Sequence, residues 1–105
     1  MRFTLVYITT KNKEEAKKIG KKLVEERLAA CVNIIDNMNS MYRWEEKIEY
    51  DSEAILIAKT RQSLFKKLTA RVKELHSYAV ACIIALPILD GNTEYLRWLE
   101  QETAQ

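Results

Sequence analysis

Residues 3–8, Phe-Thr-Leu-Val-Tyr-Ile, form a short aromatic and β-branched run that leaves through Thr-Thr-Lys-Asn, the pattern of a strand ending in a turn. Asn12 and Glu15 then stand at N-cap and N3 spacing. Behind them Ala16, Ile19, Leu23 and Val24 recur on one helical face, which predicts a helix reaching Arg27 or Leu28. From 31 to 44, apolar Val32, Ile34, Ile35, Met38, Met41 and Tyr42 are interrupted by Asn33, Asp36, Asn37, Asn39 and Ser40. This reads as a long strand with a bulge or bend between Asp36 and Ser40. A turn at 45–47 leads into a strand over 48–60, whose centre, Ala54-Ile55-Leu56-Ile57-Ala58, lacks polar alternation and is expected to be buried on both faces. Ser63 stands where a cap would, ahead of Leu64, Phe65, Leu68, Val72 and Leu75, whose 3.6-residue period runs up to His76. Residues 80–88 make a fourth apolar strand closed by Pro87. Asp90-Gly91-Asn92 then supplies a turn and a cap for a last helix through Tyr95, Leu96, Trp98 and Leu99.

The order β-α-β-β-α-β-α is that of an α+β, ferredoxin-like split β-α-β sandwich with an added C-terminal helix. It implies an antiparallel sheet carrying the first two helices on one face. In such a two-layer fold the free face should alternate polar residues outward, yet strands one, three and four are apolar at consecutive positions. Other subunits are the economical cover for that face, because so large an apolar patch is unusual on a soluble monomer.

Composition narrows the picture. At 105 residues without a linker-like stretch, 1–105 reads as a single domain, and a chain this small gains from burying a face against a partner. The 17 basic and 15 acidic residues are interleaved, which is not the one-sided footprint of a nucleic-acid binder. The densest run, 11–22, mixes Glu14 and Glu15 among its lysines and reads as a solvated helix face. The longest apolar run, 79–86, is far below the ~20 residues of a membrane span, and 3–8 is too short for a secretory core. A cytoplasmic location is therefore expected. Cys31 and Cys82 are too few for a disulfide framework and lie in apolar segments, so they read as reduced, buried thiols or as soft metal ligands. In the expected strand order the two occupy opposite edge strands, so a shared metal would need two subunits. His76 is the only imidazole, and sits either as a ligand or as a helix C-terminal group bonded to terminal carbonyls. Two glycines supply no phosphate-binding loop and no nucleophile has a recognisable setting, so no catalytic residue and no organic cofactor are assigned.

Five blocks recur in a fixed order: Ala30-Cys31-Val32-Asn33-Ile34 with Ser40-Met41-Tyr42-Arg43-Trp44 and Lys47-Ile48; Leu56-Ile57-Ala58-Lys59-Thr60 with Phe65; His76-Ser77-Tyr78; Leu86-Pro87-Ile88 with Gly91-Asn92; and Tyr95-Leu96-Arg97-Trp98. In register over nearly the whole chain, they resemble the CutA family of divalent-ion tolerance proteins. The resemblance implies a ferredoxin-like subunit in a compact homotrimer, a cleft between subunits, and an association with divalent cations, copper especially. The residues shared with the family pattern, Tyr42, Trp44, Lys59, Tyr78, Tyr95 and Trp98, are assigned to that intersubunit cleft, and Cys31, His76 and Cys82 are the candidate metal ligands. Where the family usually has Gly this chain has Glu46, and where it has Pro or acids this chain has Ser77, Ala79, Ala81 and Cys82. Two other readings stay open. One is a trimeric small-ligand sensor like the nitrogen-regulatory PII proteins, with Lys59 and His76 holding an anion or small polar molecule, and the other is a trimeric scaffold for another protein.

Overall fold

The computed structural model describes residues 2–105. Its elements are β1 (Phe3–Thr10), α1 (Lys13–Glu25), β2 (Cys31–Trp44), β3 (Lys47–Arg61), a 3-10 turn at Gln62–Leu64, α2 (Phe65–Leu75), β4 (Ile83–Ile88) and α3 (Thr93–Glu102). The sheet order is β2-β3-β1-β4 with every neighbouring pair antiparallel, so the ferredoxin-like arrangement read from the sequence is the one formed. α1 begins as the Asn12/Glu15 spacing predicts. The Asn12 side chain accepts from the Glu15 N–H at 2.8 Å, while the Glu15 carboxylate accepts from the Lys11 N–H at 2.9 Å. Ser63 does not cap α2: it lies within the 3-10 turn, and Leu64 at the cap position makes no side-chain bond. β4 starts at Ile83 rather than at residue 80, leaving Val80 exposed in the preceding loop.

One face of the sheet carries the core. Val6 and Ile8 of β1 and Ala54, Leu56 and Ala58 of β3 pack against Ala16, Ile19 and Leu23 of α1 and Leu68 and Val72 of α2. Gly20, in mid-helix, would cost about 1 kcal/mol against Ala on propensity alone. Its presence has a packing reason, since a Cβ there would meet Val32 Cγ2 at 3.0 Å and Leu56 Cδ1 at 3.1 Å. α1 can lie this close to the sheet because that position has no side chain.

The expectation that β3 is buried on both faces needs correction. Ala54, Leu56 and Ala58 are buried, but Ile55 and Ile57 on the other face are only half-buried in the single chain. By register the same second face carries Leu5 and Tyr7 of β1 opposite Leu86 and Ile84 of β4, and Ile35 of β2 opposite Ile55. Ile35, Ile84 and Leu86 are 49%, 53% and 46% exposed. α3 covers this face only at the Arg61 end of β3: the guanidinium donates to Glu100 O at 2.6 Å and Thr103 Oγ1 at 2.9 Å, and Leu99 is fully buried.

β2 and β3 outrun β1. Their pairing continues from Met38↔Glu53 to Trp44↔Lys47 as a two-stranded arm, which makes the molecule 45 Å long and 25 × 22 Å across. The bulge falls between Ile35 and Met38, inside the predicted window, with Asn37 at φ 58°. The arm turns at its tip through Glu45 and Glu46, both left-handed at φ 48° and 66°, a conformation that favours glycine.

Candidate functional site

A cleft of about 740 Å³ opens where the arm leaves the sheet, between the arm and the loop that joins α2 to β4. Strand register decides what the arm presents to it. Met38, Ser40, Tyr42 and Trp44 share one face with their partners Glu53, Asp51, Glu49 and Lys47, so aromatic side chains and a row of carboxylates alternate across the two strands. Ser40, Tyr42, Trp44 and Glu53 line the cleft from the arm, and Tyr78, Val80 and Cys82 line it from the loop. The Tyr78 hydroxyl donates to Glu53 Oε2 at 2.6 Å, and the Tyr42 hydroxyl donates to the Asp51 carboxylate. That bond to Asp51, together with burial and the charges of Asp51, Glu53 and Glu49, pushes the Tyr42 phenol up to about 12. Burial and then the bond to Glu53 push Tyr78 further in the same direction. Both phenols are neutral hydrogen-bond donors at any physiological pH.

His76 fixes the loop. Its side chain has no exposed surface, Nε2 lies 2.7 Å from Thr9 O, and Nδ1 lies 3.0 Å from the Tyr78 N–H. A carbonyl can only accept and an amide N–H can only donate, so these partners set the neutral tautomer with the proton on Nε2. In this arrangement neither nitrogen offers a free lone pair. The bond runs to β1 and not to the terminal carbonyls of α2 as expected, so the imidazole ties the helix end to the sheet and aims Tyr78 at Glu53. Glu15 completes the knot, accepting from the Ser77 N–H at 3.0 Å with its carboxylate 4.0 Å from His76 Nδ1. Burial alone would raise Glu15, but the hydrogen bonds from Ser77 and Lys11 outweigh it and hold the carboxyl below its usual range.

In one chain the other residues assigned to the intersubunit cleft stand at the far end of β3 from this cavity. Lys59 Nζ donates to Asn33 Oδ1 at 2.7 Å, lies 3.9 Å from Cys31 Sγ, and stands 5.8 Å from the centroid of the Tyr95 ring, which packs on Trp98 at 5.6 Å. Lys59 is six residues along β3 from Glu53, roughly 20 Å at strand rise. Within one chain, Tyr42, Trp44 and Tyr78 line this cavity, while Lys59, Tyr95 and Trp98 cluster with Cys31. The two thiols are likewise apart, Cys31 on edge strand β2 and Cys82 just ahead of edge strand β4. Cys82 is exposed rather than buried, and Cys31 is intermediate. Among the described residues no group of three or more His, Cys, Asp or Glu side chains converges on a metal position. Sequence reasoning passed over Glu53 and Asp51, and read Glu15 only as the N3 residue of α1. The signal for the first two was the period-2 row Glu49, Asp51, Glu53, which puts three acids on one strand face.

Residues 4–102 match the family model described as CutA1 divalent ion tolerance protein. The chain is 52% identical over 99 residues to the divalent-cation tolerance protein CutA of Thermus thermophilus, covering 94% of this chain and 96% of that one. It is 50% identical over 99 residues to the chloroplastic protein CutA of Arabidopsis thaliana, covering 94% of this chain but 54% of that one, so the chain spans about half the length of the plant relative. The crystal structure of CutA1 from Oryza sativa superposes with a TM-score of 0.97 at 46% identity, covering 100% of this chain and 96% of that one. On these matches the chain belongs to the CutA1 family of divalent ion tolerance proteins.

Proposed function

We propose that this chain acts in divalent-cation tolerance as a cytoplasmic homotrimer that holds copper or another divalent metal weakly between subunits, without catalysing a reaction. The observation that carries the assembly is the uncovered sheet face, where Ile35, Ile84 and Leu86 stay about half exposed beside half-buried Ile55 and Ile57. Burying aliphatic side chains of this size fully is worth about 1.5–3 kcal/mol each, and a second and third copy can supply the cover. The arm adds Met41 and Tyr50, paired on its back face and 69% and 70% exposed.

A metal shared between subunits suits thiols on opposite edges of the sheet, which one chain cannot bring together. Thiolate is a soft ligand matched to Cu(I), and three copies of one cysteine around a threefold axis would make a trigonal donor set. His76 would join it only by giving up its bond from Tyr78. The absence of catalysis is supported by the same locked imidazole and by phenols held un-ionised, which leave neither group poised as a base. Molar mass by light scattering, with and without Cu(II), and calorimetry with Cu(I), Cu(II) and Zn(II) test the reading. A trimer with saturable binding lost in Cys82→Ser supports it, whereas a monomer, or no binding to the intact trimer, sinks the corresponding half. The cleft itself favours a second reading, a small-ligand sensor, and the exposed arm would serve a scaffold for another protein.

A further inference from the structure

α3 is tied to the rest of the chain mainly at one end. Upstream, Leu89 is 94% exposed, Asp90 accepts from the Gly91 N–H at 2.8 Å and Asn92 from the Glu94 N–H at 2.9 Å, so the bonds there are local. Within the helix Leu99 is the one buried residue. A helix of 10 residues is marginal by itself, so what docks it decides whether it forms. The C-terminal end carries that docking. The last four carbonyls of a helix have no partner within it and stand at the negative end of its dipole. In α3 each of them accepts from a side chain: Leu99 O from Thr103 Oγ1 at 2.8 Å, Glu100 O from Arg61 Nη2 at 2.6 Å, and Gln101 O and Glu102 O from Arg27 Nη1 at 3.4 and 3.2 Å. Arg27 makes its share of this anchor from a strained position. It is the first residue past the cap of α1 and is left-handed at φ 58°, a conformation that favours glycine, yet glycine has no side chain to reach α3. Its guanidinium also stands 3.8 Å from Glu102 Oε2, and its carbonyl accepts from Gln105 Nε2 at 3.0 Å. Exposed charged groups make this join between two helix ends, and none of the apolar residues of the second face takes part in it.

We propose that α3 is a strap that opens separately from the rest of the fold, with Arg27 as its latch. Closed, it covers the Arg61 end of the second face, where the Tyr95 ring stands 5.8 Å from Lys59 Nζ and that ammonium lies 3.9 Å from Cys31 Sγ. Open, it uncovers the socket of Leu99 and frees Lys59 from Tyr95, so the reactivity of the Cys31 thiol follows the latch. The bonds to α3 and from Gln105 offset the left-handed backbone of Arg27, and undocking removes them together. The inference rests on the docking of α3 alone, not on metal binding or on the cleft.

Hydrogen exchange read by mass spectrometry on the assembled protein tests it, with alkylation of Cys31 by iodoacetamide in a Cys82→Ser background as the second readout. In the native protein the amides of 93–103 should exchange faster than those of β1 and β3. Arg27→Gly suits the backbone while removing the latch. It should leave the unfolding midpoint unchanged or raised, yet speed both exchange in 93–103 and alkylation of Cys31 about tenfold or more. Arg27→Lys keeps the charge on a shorter side chain and should fall between the two. The proposal is overturned if 93–103 exchanges only with global unfolding, as it would if other copies held α3 down. It is equally overturned if Arg27→Gly leaves either rate unchanged, or if it speeds exchange in β1 and β3 by the same factor, which would make Arg27 a support of the whole fold.

Discussion

Glu45 and Glu46 sit left-handed at the tip of the arm, where an L side chain costs roughly 1–2 kcal/mol per residue. Replacing Glu46 with Gly, which adopts the left-handed region without a Cβ clash, removes that strain at the expense of some backbone entropy. Glu46→Gly is therefore expected to raise stability by about 0.5–1 kcal/mol, read as a denaturant midpoint moving upward at constant slope. A fall would show that the turn is held by contacts of the Glu46 side chain. Tyr42 and Tyr78 set a second expectation. Their folded values are raised above the ordinary 10.0, so what their carboxylate bonds contribute is fully present below pH 10 and is lost as pH rises toward 12, where Tyr42 ionises in the folded state. In an ultraviolet tyrosinate titration of the five tyrosines, two should ionise late, and Tyr42→Phe with Tyr78→Phe should abolish that late phase. Five phenols titrating together near their ordinary value would contradict the geometry. These residue-scale features were unevenly legible. The turn at 45–47 could be read in the sequence, but the partners of the tyrosines could not, because Tyr78 and Glu53 lie 25 residues apart and meet only through the fold.

At the scale of elements, local signals specified what local interactions stabilise. The Asn12/Glu15 cap was readable because both partners lie within one turn, and Asn12→Ala is expected to cost about 1 kcal/mol in thermal or denaturant unfolding. An unchanged midpoint would mean that packing of Ala16 and Ile19 alone sets the start of α1. Ser63 failed as a cap for an equally local reason: the chain leaves β3 through a 3-10 turn, so the helix starts two residues beyond it. The apolar run over 80–88 predicted a longer strand than forms. Thr9 N–H bonds to Cys82 O at 3.2 Å, but residues before 82 are drawn away by the His76 to Tyr78 anchor and line the cleft instead. Hydropathy alone does not distinguish a strand residue from a loop residue that faces a cavity.

For the whole molecule, the exposed second face and the arm dominate. Leu86→Glu places a charge at a site 46% exposed in one chain, so it should leave the monomer fold intact by circular dichroism. If copies of this chain cover the face, the same change should lower the molar mass measured by light scattering, since burying an unpaired carboxylate costs several kcal/mol. Unchanged assembly in Leu86→Glu would move the interface to the arm. By itself the sequence determined the order of elements, the ferredoxin-like sheet, the bulge, the apolar second face and the family, because all of these follow from short-range periodicity or from residues in fixed register. Only the tertiary structure decided which side chains share a site. Within one chain it placed Lys59, Tyr95 and Trp98 at the other end of the sheet from Tyr42, Trp44 and Tyr78, locked His76 between Thr9 and Tyr78, and turned Glu53 inward. The reason is geometric: β3 runs roughly 3.3 Å per residue, so residues that look alike in the sequence can stand at opposite ends of a strand, while an acid in a polar-looking arm becomes buried when a loop closes over it.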